Sequence, residues 1–319
     1  MATLSEQTGR PTASPGEPIG LMAGWGRYPL VIAEAMRRQG FEVYCLGVKG
    51  HADPSIADCC TDFQWIGLGK IGGACRYLVR HGVRRAAVAG KIHKHLLFQR
   101  AAFLKHFPDW RTLAAFYRHF LLRQRNLRDD TLMTTMLGIF ARAGITVWPP
   151  TDFAPELLVK FGQLTRRGPS QPQHNDIAFG WQLAKEIGRL DVGQSVAVKG
   201  ATALAVEAVE GTDQCIRRAG ELCKQGGFTV VKVAKPQQDM RFDVPTVGMQ
   251  TLHTMREAGA TCLAIEAGKT VIVDEHDVVR LWGGLPRPSL TSDGLGRPPH
   301  DLATSPTPVL GQPLTGPAN

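Results

Sequence analysis

Residues 231–248 read VKVAKPQQDMRFDVPTVG, and within them Lys232, Lys235 and Arg241 stand close to the carboxylates of Asp239 and Asp243. Pro236 and Pro245 stiffen the same stretch, because proline locks φ and removes a backbone donor. Clustered cations beside a carboxylate in a stiff loop suit the hydrolysis of a phosphate ester. The cations neutralise charge on phosphorus, while the carboxylate orients or deprotonates water, or holds a divalent ion. A second acid-bearing loop, Glu210-Gly211-Thr212-Asp213, has the same setting, after a strand-like run and before a helical one. Two such loops can converge and bring Asp213 and Asp243 to one point. Asp213 equally suits the support of a helix N-terminus, where a carboxylate meets the positive end of the dipole. A cap on the helix after it is the lesser reading of Asp243, because two prolines fix its loop.

Gly24-Trp25-Gly26 follows the first apolar run, and Pro29 opens the next helix. A glycine turn at a helix N-terminus presents backbone N–H groups to an anion such as a phosphate. A tight turn that simply needs glycine is the other reading. The dinucleotide fingerprint is incomplete: the third glycine is missing, and Leu46-Gly47-Val48-Lys49 stands where a ribose-binding acid belongs. Gly268-Lys269-Thr270 imitates the end of a P-loop, but position 263 is Leu where a glycine is required. It is read as a hairpin turn. Asp274-Glu275-His276 contains a D-x-H without the companion motifs of metallophosphoesterases, and neither G-x-S-x-G nor H-E-x-x-H occurs.

These residues need elements to position them. Strand-like PIGLMAG, EVYCLGV, FQWIGL, RRAAVAG and ITVWP alternate with helical YPLVIAEAMRRQG, GKIGGACRYLVRHG and a long stretch from Leu96 to Ala143. That alternation predicts a mostly parallel sheet with helices on its faces, and ligands at the carboxyl ends of its strands. The polar, Pro-containing LTRRGPSQPQHND reads as a linker. After it come helix IAFGWQLAKEIGRL, a hairpin turning at Lys199-Gly200, a helix with Thr212 as N-cap, strand FTVVKVA, helix GMQTLHTMREAG and a second hairpin, TCLAIEAGKTVIVD. This half is α+β. The expected organisation is a disordered lead-in over 1–17, an α/β domain over 18–165, an α+β domain over 166–285, and a disordered tail over 286–319. The tail from Pro286 holds eight prolines and no apolar period, so it is excluded from the fold.

Composition narrows the class. The hydrophobic share of 43% is ample for two cores, and no apolar run reaches the roughly 18 residues of a membrane span. The first residues lack the basic start and apolar stretch of a secretory signal. Seven cysteines without C-x-x-C spacing read as reduced thiols. From Arg76 to Arg128 thirteen Lys or Arg face one acid, Asp109, with Phe98, Phe103, Phe107, Trp110, Phe116, Tyr117 and Phe120 interleaved. This segment suits a solvated basic helix, nucleic acid or an anionic membrane surface. Phe stacks on bases only from a presented platform, so membrane is preferred and nucleic acid is not expected.

The blocks GLMAGWGRYPLVIAEAMRRQG, WIGLGKIG, AVAGKI, RLDVGQSVAV, AVEAVEGTD and KVAKPQQDMRFDVPTVG together resemble the UDP-2,3-diacylglucosamine pyrophosphatase family of the LpxI type, from about Ile19 to Leu285. The resemblance implies hydrolysis of that lipid-linked nucleotide sugar, with water attacking the α-phosphorus to give lipid X and UMP, in lipid A biosynthesis. It implies a Mg²⁺ dependence, a Rossmann-like parallel-sheet N-terminal domain, an α+β C-terminal catalytic domain with the lipid held between them, and a homodimer. The family's essential Asp in R-x-D-x-P-T-x-G falls on Asp243, with Asp213 as its companion in catalysis and metal binding. Substrate contacts are expected from Gly24, Trp25, Gly26, Lys70, Lys91, Thr212, Lys232, Lys235, Gln238, Arg241 and Thr246. Such an enzyme works in the cytoplasm, peripheral on the inner face of the inner membrane. The competing classes are an NADP-type oxidoreductase and a non-enzymatic basic binding protein.

Overall fold

Strand β1 (Pro18–Ala23) is buried along nearly its whole length, and a run buried on both faces belongs inside a parallel sheet covered on both sides. β1 pairs in parallel with β2 (Glu42–Val48) and, on its other edge, with β4 (Arg85–Ala89). With β3 (Asp62–Ile66) and β5 (Thr146–Trp148) the order is β3-β2-β1-β4-β5, every pair parallel. Helix α1 (Tyr28–Arg38) packs Ile32, Ala33 and Met36 with Ile19 and Leu21. Helices α2 (Ile71–Arg80) and α3 (Asp129–Arg142) put Ala74, Leu78, Ile139 and Phe140 with Met22 and Val88 in a separate cluster. The chain winds from β1 to β2 and β3, then starts again on the other side at β4. The switch point of the sheet therefore lies between β1 and β4, where doubly wound folds gather their ligands.

The second domain is built on a mixed sheet of order β6-β13-β11-β9-β7-β8. Its members are β6 (Gly162–Gln163), β7 (Ser195–Lys199), β8 (Thr202–Val206), β9 (Phe228–Lys232), β11 (Ala260–Glu266) and β13 (Ser289–Asp293). Side chains alternate between its faces, as the strand period of two requires, apart from an irregularity between Ala260 and Cys262. Val196, Val198, Val231 and Ala264 meet Ile177, Trp181 and Ala184 of helix α4 (Gln171–Arg189). Ala197, Val230, Leu263 and Ile265 meet helices α5 (Thr212–Leu222) and α6 (Met249–Ala258). A Cβ at Gly180 of α4 would come within 2.7 Å of Val231, so glycine lets that helix lie close on the sheet. Between the domains, β10 (Thr246–Val247) and β12 (Val271–Ile272) form a small parallel pair. Val271 and Val273 enter the β1–α1 cluster, with Val244 against it. Helix α7 (Glu275–Gly283) follows and packs Val278 and Trp282 onto the second domain.

The computed structural model describes residues 14, 16–91, 109–110, 112–114, 129–283 and 289–293. Nearly all of the lead-in, most of the basic aromatic segment and the chain beyond 293 lie outside the described residues.

Four expectations are corrected. TCLAIEAGKTVIVD is not a hairpin: β11 and β12 join different sheets, and the turn at Gly268 redirects the chain towards the first domain. The supposed linker is partly helix, because α4 begins at Gln171 and the side chain of Gln173 accepts from the Ser170 N–H at 2.9 Å. Thr212 is not an N-cap. Gly211 takes that place at φ +84° and frees the Thr212 side chain for other partners. The Pro-rich tail is not wholly outside the fold. Ser289–Asp293 forms β13, parallel to β11 and antiparallel to β6, since five residues free of proline suffice to satisfy a sheet edge.

Candidate active site

The loops after β1 and β4 are tied together at the switch point. The Trp25 N–H donates to the Lys91 carbonyl at 2.8 Å, and the Lys91 N–H to the Trp25 carbonyl at 3.0 Å. Gly24 and Gly90 allow this approach: a Cβ on Gly24 would stand 2.9 Å from the Gly90 carbonyl carbon. Gly26 adopts φ +102° immediately before α1, whose first turn holds Pro29. The turn leaves Trp25 half exposed and presents Lys91 towards the second domain, where a Cβ on Gly211 would lie 3.6 Å from the Lys91 Nζ.

Opposite Lys91 is Lys232, the last residue of β9, 6% exposed. Its Nζ donates to the Thr212 Oγ1 at 3.1 Å, and the Thr212 hydroxyl donates to the Glu207 Oε1 at 3.0 Å. Ser195 Oγ lies 3.3 Å from the same Thr212 oxygen. Burial pushes the Lys232 ammonium below its ordinary lysine value. Glu207 and Asp213 oppose that shift, Lys91 adds to it, and Asp243 opposes it again. One buried cation therefore feels three carboxylates from the second domain and one lysine from the first.

Asp213 sits in the first turn of α5 and accepts a hydrogen bond from the Thr251 hydroxyl of α6 at 3.2 Å. Asp243 is half-buried on a loop braced from within. Gln238 accepts from the Lys235 N–H and donates to the Asp243 carbonyl, both at 2.6 Å, while the Asp243 N–H donates to Asp239 at 3.0 Å. The Val271 N–H donates to the Pro245 carbonyl at 2.8 Å, fastening the loop to the small sheet. Thr246 starts β10 and turns its hydroxyl to the Val244 carbonyl at 3.0 Å.

The structure thus brings together Lys91, Thr212, Asp213, Lys232 and Asp243, with Gly24, Trp25 and Gly26 at the adjoining turn. It gives the other expected contacts different surroundings. Lys235 is ion-paired with Asp191 at 2.6 Å, and Arg241 with Asp239 at 2.5 Å. Lys70 is exposed immediately before α2. Gln238 braces the loop through Lys235 and Asp243. Glu207 was not singled out in the sequence. Its signal is position: it stands just past β8 in AVEAVEGTD, five residues before Thr212, where a buried acid needs a partner.

Asp213 and Asp243 are the acids that could hold a divalent cation. Among the described residues no group of three or more His, Cys, Asp or Glu is arranged to hold a metal ion. A pair of carboxylates fits Mg²⁺, which keeps several waters and binds through one or two carboxylates plus substrate phosphates. It does not fit a closed protein cage of the zinc type.

A doubly wound domain whose switch-point loop meets a buried lysine ringed by acids defines a two-domain α/β protein built to hold an anion next to carboxylates. Residues 18–157 match the family model described as the LpxI N-terminal domain, and residues 160–283 the LpxI C-terminal domain. The chain belongs to the LpxI family. It is 29% identical over 273 residues to a Caulobacter vibrioides protein named UDP-2,3-diacylglucosamine pyrophosphatase LpxI, covering 82% of this chain and 92% of that one. Among solved structures, AnUbiX (PadA1) in complex with FMN and dimethylallyl pyrophosphate shares 13% identity at a TM-score of 0.22, over 43% of this chain and 79% of that one. Biotin carboxylase from Campylobacter jejuni shares 13% at 0.21, over 65% and 42%.

Proposed function

We infer that this protein hydrolyses the pyrophosphate of UDP-2,3-diacylglucosamine in lipid A biosynthesis, releasing lipid X and UMP. The observation that carries the reading is the junction of Lys91 and Lys232, one from each domain, beside Asp213 and Asp243. Two lysines facing one another attract a bridging polyanion, and a pyrophosphate supplies charge for both. The curated relative's name, at 29% identity along most of both chains, supplies the substrate that the geometry alone leaves open.

In the proposed reaction a water oxygen bonds to the α-phosphorus as the bond to the bridging oxygen breaks. The bridging oxygen leaves with the lipid as its 1-phosphate, and the water proton passes to Asp243. Lys91 and Lys232 neutralise the phosphate oxygens, and the Gly24–Gly26 turn at the head of α1 receives the phosphate through backbone N–H groups. Asp213 and Asp243 would hold Mg²⁺, which when bound offsets charge on the phosphates. Among the described residues no helix is long and apolar enough to cross a membrane. We place the enzyme in the cytoplasm, as a homodimer peripheral on the anionic inner face of the inner membrane, where its two-chain lipid substrate resides.

The test is incubation with UDP-2,3-diacylglucosamine and Mg²⁺ in ¹⁸O-water. UMP carrying the label is the expected product. Label in lipid X moves the attack to the other phosphorus, and absence of both products overturns the assignment.

A further inference from the structure

The Thr212 hydroxyl is the centre of a small buried network whose proton directions can be worked out. An ionised carboxylate only accepts, so the single hydroxyl proton of Thr212 points to the Glu207 Oε1, 3.0 Å away. The Thr212 oxygen is then left as an acceptor. Lys232 Nζ donates to it at 3.1 Å, and Ser195, 3.3 Å away, must supply its own proton. Glu207 is 8% exposed and is itself held in place, accepting the Gln194 N–H on Oε2 at 3.4 Å and donating its backbone N–H to the Ser195 carbonyl at 2.9 Å. Of the three N–H groups on the Lys232 ammonium, Thr212 takes one.

We propose that Glu207 is a positioning residue for pyrophosphate hydrolysis: through the Thr212 hydroxyl it holds the Lys232 ammonium in the direction from which it meets a phosphate oxygen. A flexible four-carbon side chain is a poor electrostatic device unless its head is fixed, and preorganisation is what makes a charge effective in a transition state. Glu207 aligns the hydroxyl, the hydroxyl anchors one N–H, and the others are left for substrate. Glu207 also balances the charge of Lys232 when the site is empty. Asp213 on α5, Asp243 on the loop after β9 and Lys91 after β4 are the other charged groups that act on that ammonium.

The proposal rests on the hydrolase reading, and a double-mutant cycle separates the two. UMP release is measured for wild type, Thr212→Val, Lys232→Ala and the double variant, with thermal melts to establish folding. In the wild-type background Thr212→Val should lower kcat/KM about ten- to a hundredfold, the worth of a hydrogen bond to a charged group. In the Lys232→Ala background it should cost less than about threefold, because coupled residues are not additive. Thr212→Ser, which keeps the hydroxyl, should recover most of the activity. Glu207→Gln, which still accepts, should fall less than Glu207→Ala, and that difference too should vanish without Lys232. Equal losses in both backgrounds, or no recovery by Thr212→Ser, overturn the role of Glu207. If Thr212→Val does not melt cooperatively, the Glu207→Gln cycle on Lys232→Ala decides by the same criterion. Wild-type protein that releases no UMP overturns the underlying reading instead.

Discussion

Lys232 is 6% exposed, and an ammonium taken out of water costs several kcal/mol unless carboxylates and hydrogen bonds meet it. Glu207, Asp213 and Asp243 do so, which makes these acids part of one electrostatic unit. Asp243 is the acid whose loop is independently braced, by Gln238 and by the Pro245 carbonyl. Asp243→Ala should therefore still melt cooperatively and keep KM within about threefold, while kcat for UMP release falls roughly a thousandfold, within the span of acid–base catalysis. Turnover within about tenfold of wild type would remove Asp243 from the chemistry and pass the role to Asp213. At this scale the sequence was informative about types and silent about directions. Lys235 and Arg241 are three and nine residues from Lys232, yet their charges go to Asp191 and Asp239. Lys91 is far from Lys232 in the chain and near it in space. Spacing does not distinguish these cases: Arg241 is claimed by Asp239 in its own loop and Lys235 by Asp191 within the second domain, whereas Lys91 reaches Lys232 only through the packing of one domain on the other.

At the scale of elements, strands buried on both faces were legible as unbroken apolar runs, and helices as periodic ones, so the parallel sheet of the first domain follows from alternation. What composition concealed were short elements recruited by neighbours, β12 and β13. Val271–Ile272 looked like the return arm of a hairpin because a glycine turn precedes it, but its partner is β10. Ser289–Asp293 lay in a segment whose prolines argued against any strand, yet it covers the edge of β11 and receives β6. A chain ending at Leu285 lacks that strand and exposes the β11 edge, whereas one ending at Arg297 retains it. The shorter chain should melt about 5 °C or more below the longer, as expected when several kcal/mol are lost from a domain of this size, and should aggregate sooner through the open edge. Coincident melts would show that β13 contributes nothing.

A second element-scale contact ties α4 to the sheet. Lys185 on α4 donates to the Glu266 Oε2 at 2.6 Å, and the Ala234 N–H donates to the same oxygen at 2.8 Å. Burial alone would raise the Glu266 carboxyl, but Lys185, the Ala234 N–H and Lys269 together hold it below the ordinary value of 4.5. The folded value is thus lower than the unfolded one. The stabilisation is complete above the unfolded value and is lost as pH falls through the folded value. Denaturant melts from pH 7 down to about pH 3 should show wild type losing stability in this window relative to Glu266→Gln. At pH 7 the variant should be the weaker by about 1–3 kcal/mol, the worth of hydrogen bonds to a charged group. A constant difference across the window would refute the assignment.

The whole molecule adds two constraints that no single element carries. First, the halves share a core. Val271 and Val273 of the second half pack with Ile19 and Leu21 of the first, and Arg27 meets Asp274 across the same seam at 2.6 Å. The proposed junction at Lys91 and Gly211 therefore stands beside packing that the two halves share. Second, the net charge of +9 is concentrated: thirteen of the 37 Lys and Arg fall between Arg76 and Arg128, with a single acid among them. The proposed substrate has two acyl chains and resides at an anionic surface, and among the described residues no helix is long and apolar enough to cross a membrane. Each Lys or Arg that reaches such a surface contributes roughly 1 kcal/mol, so even a minority of the thirteen would give measurable binding. Sedimentation with vesicles of graded anionic-lipid content should show binding that rises with anionic fraction. It should weaken steeply as salt shortens the Debye length to about 8 Å at physiological ionic strength. Changing Arg118, Arg123, Arg125 and Arg128 to Glu should abolish most of that binding while leaving turnover of detergent-dispersed substrate intact, since none of these four is among the residues proposed to act on the phosphates. Wild-type protein that ignores anionic vesicles at low salt yet holds duplex DNA tightly would assign the basic segment to nucleic acid instead.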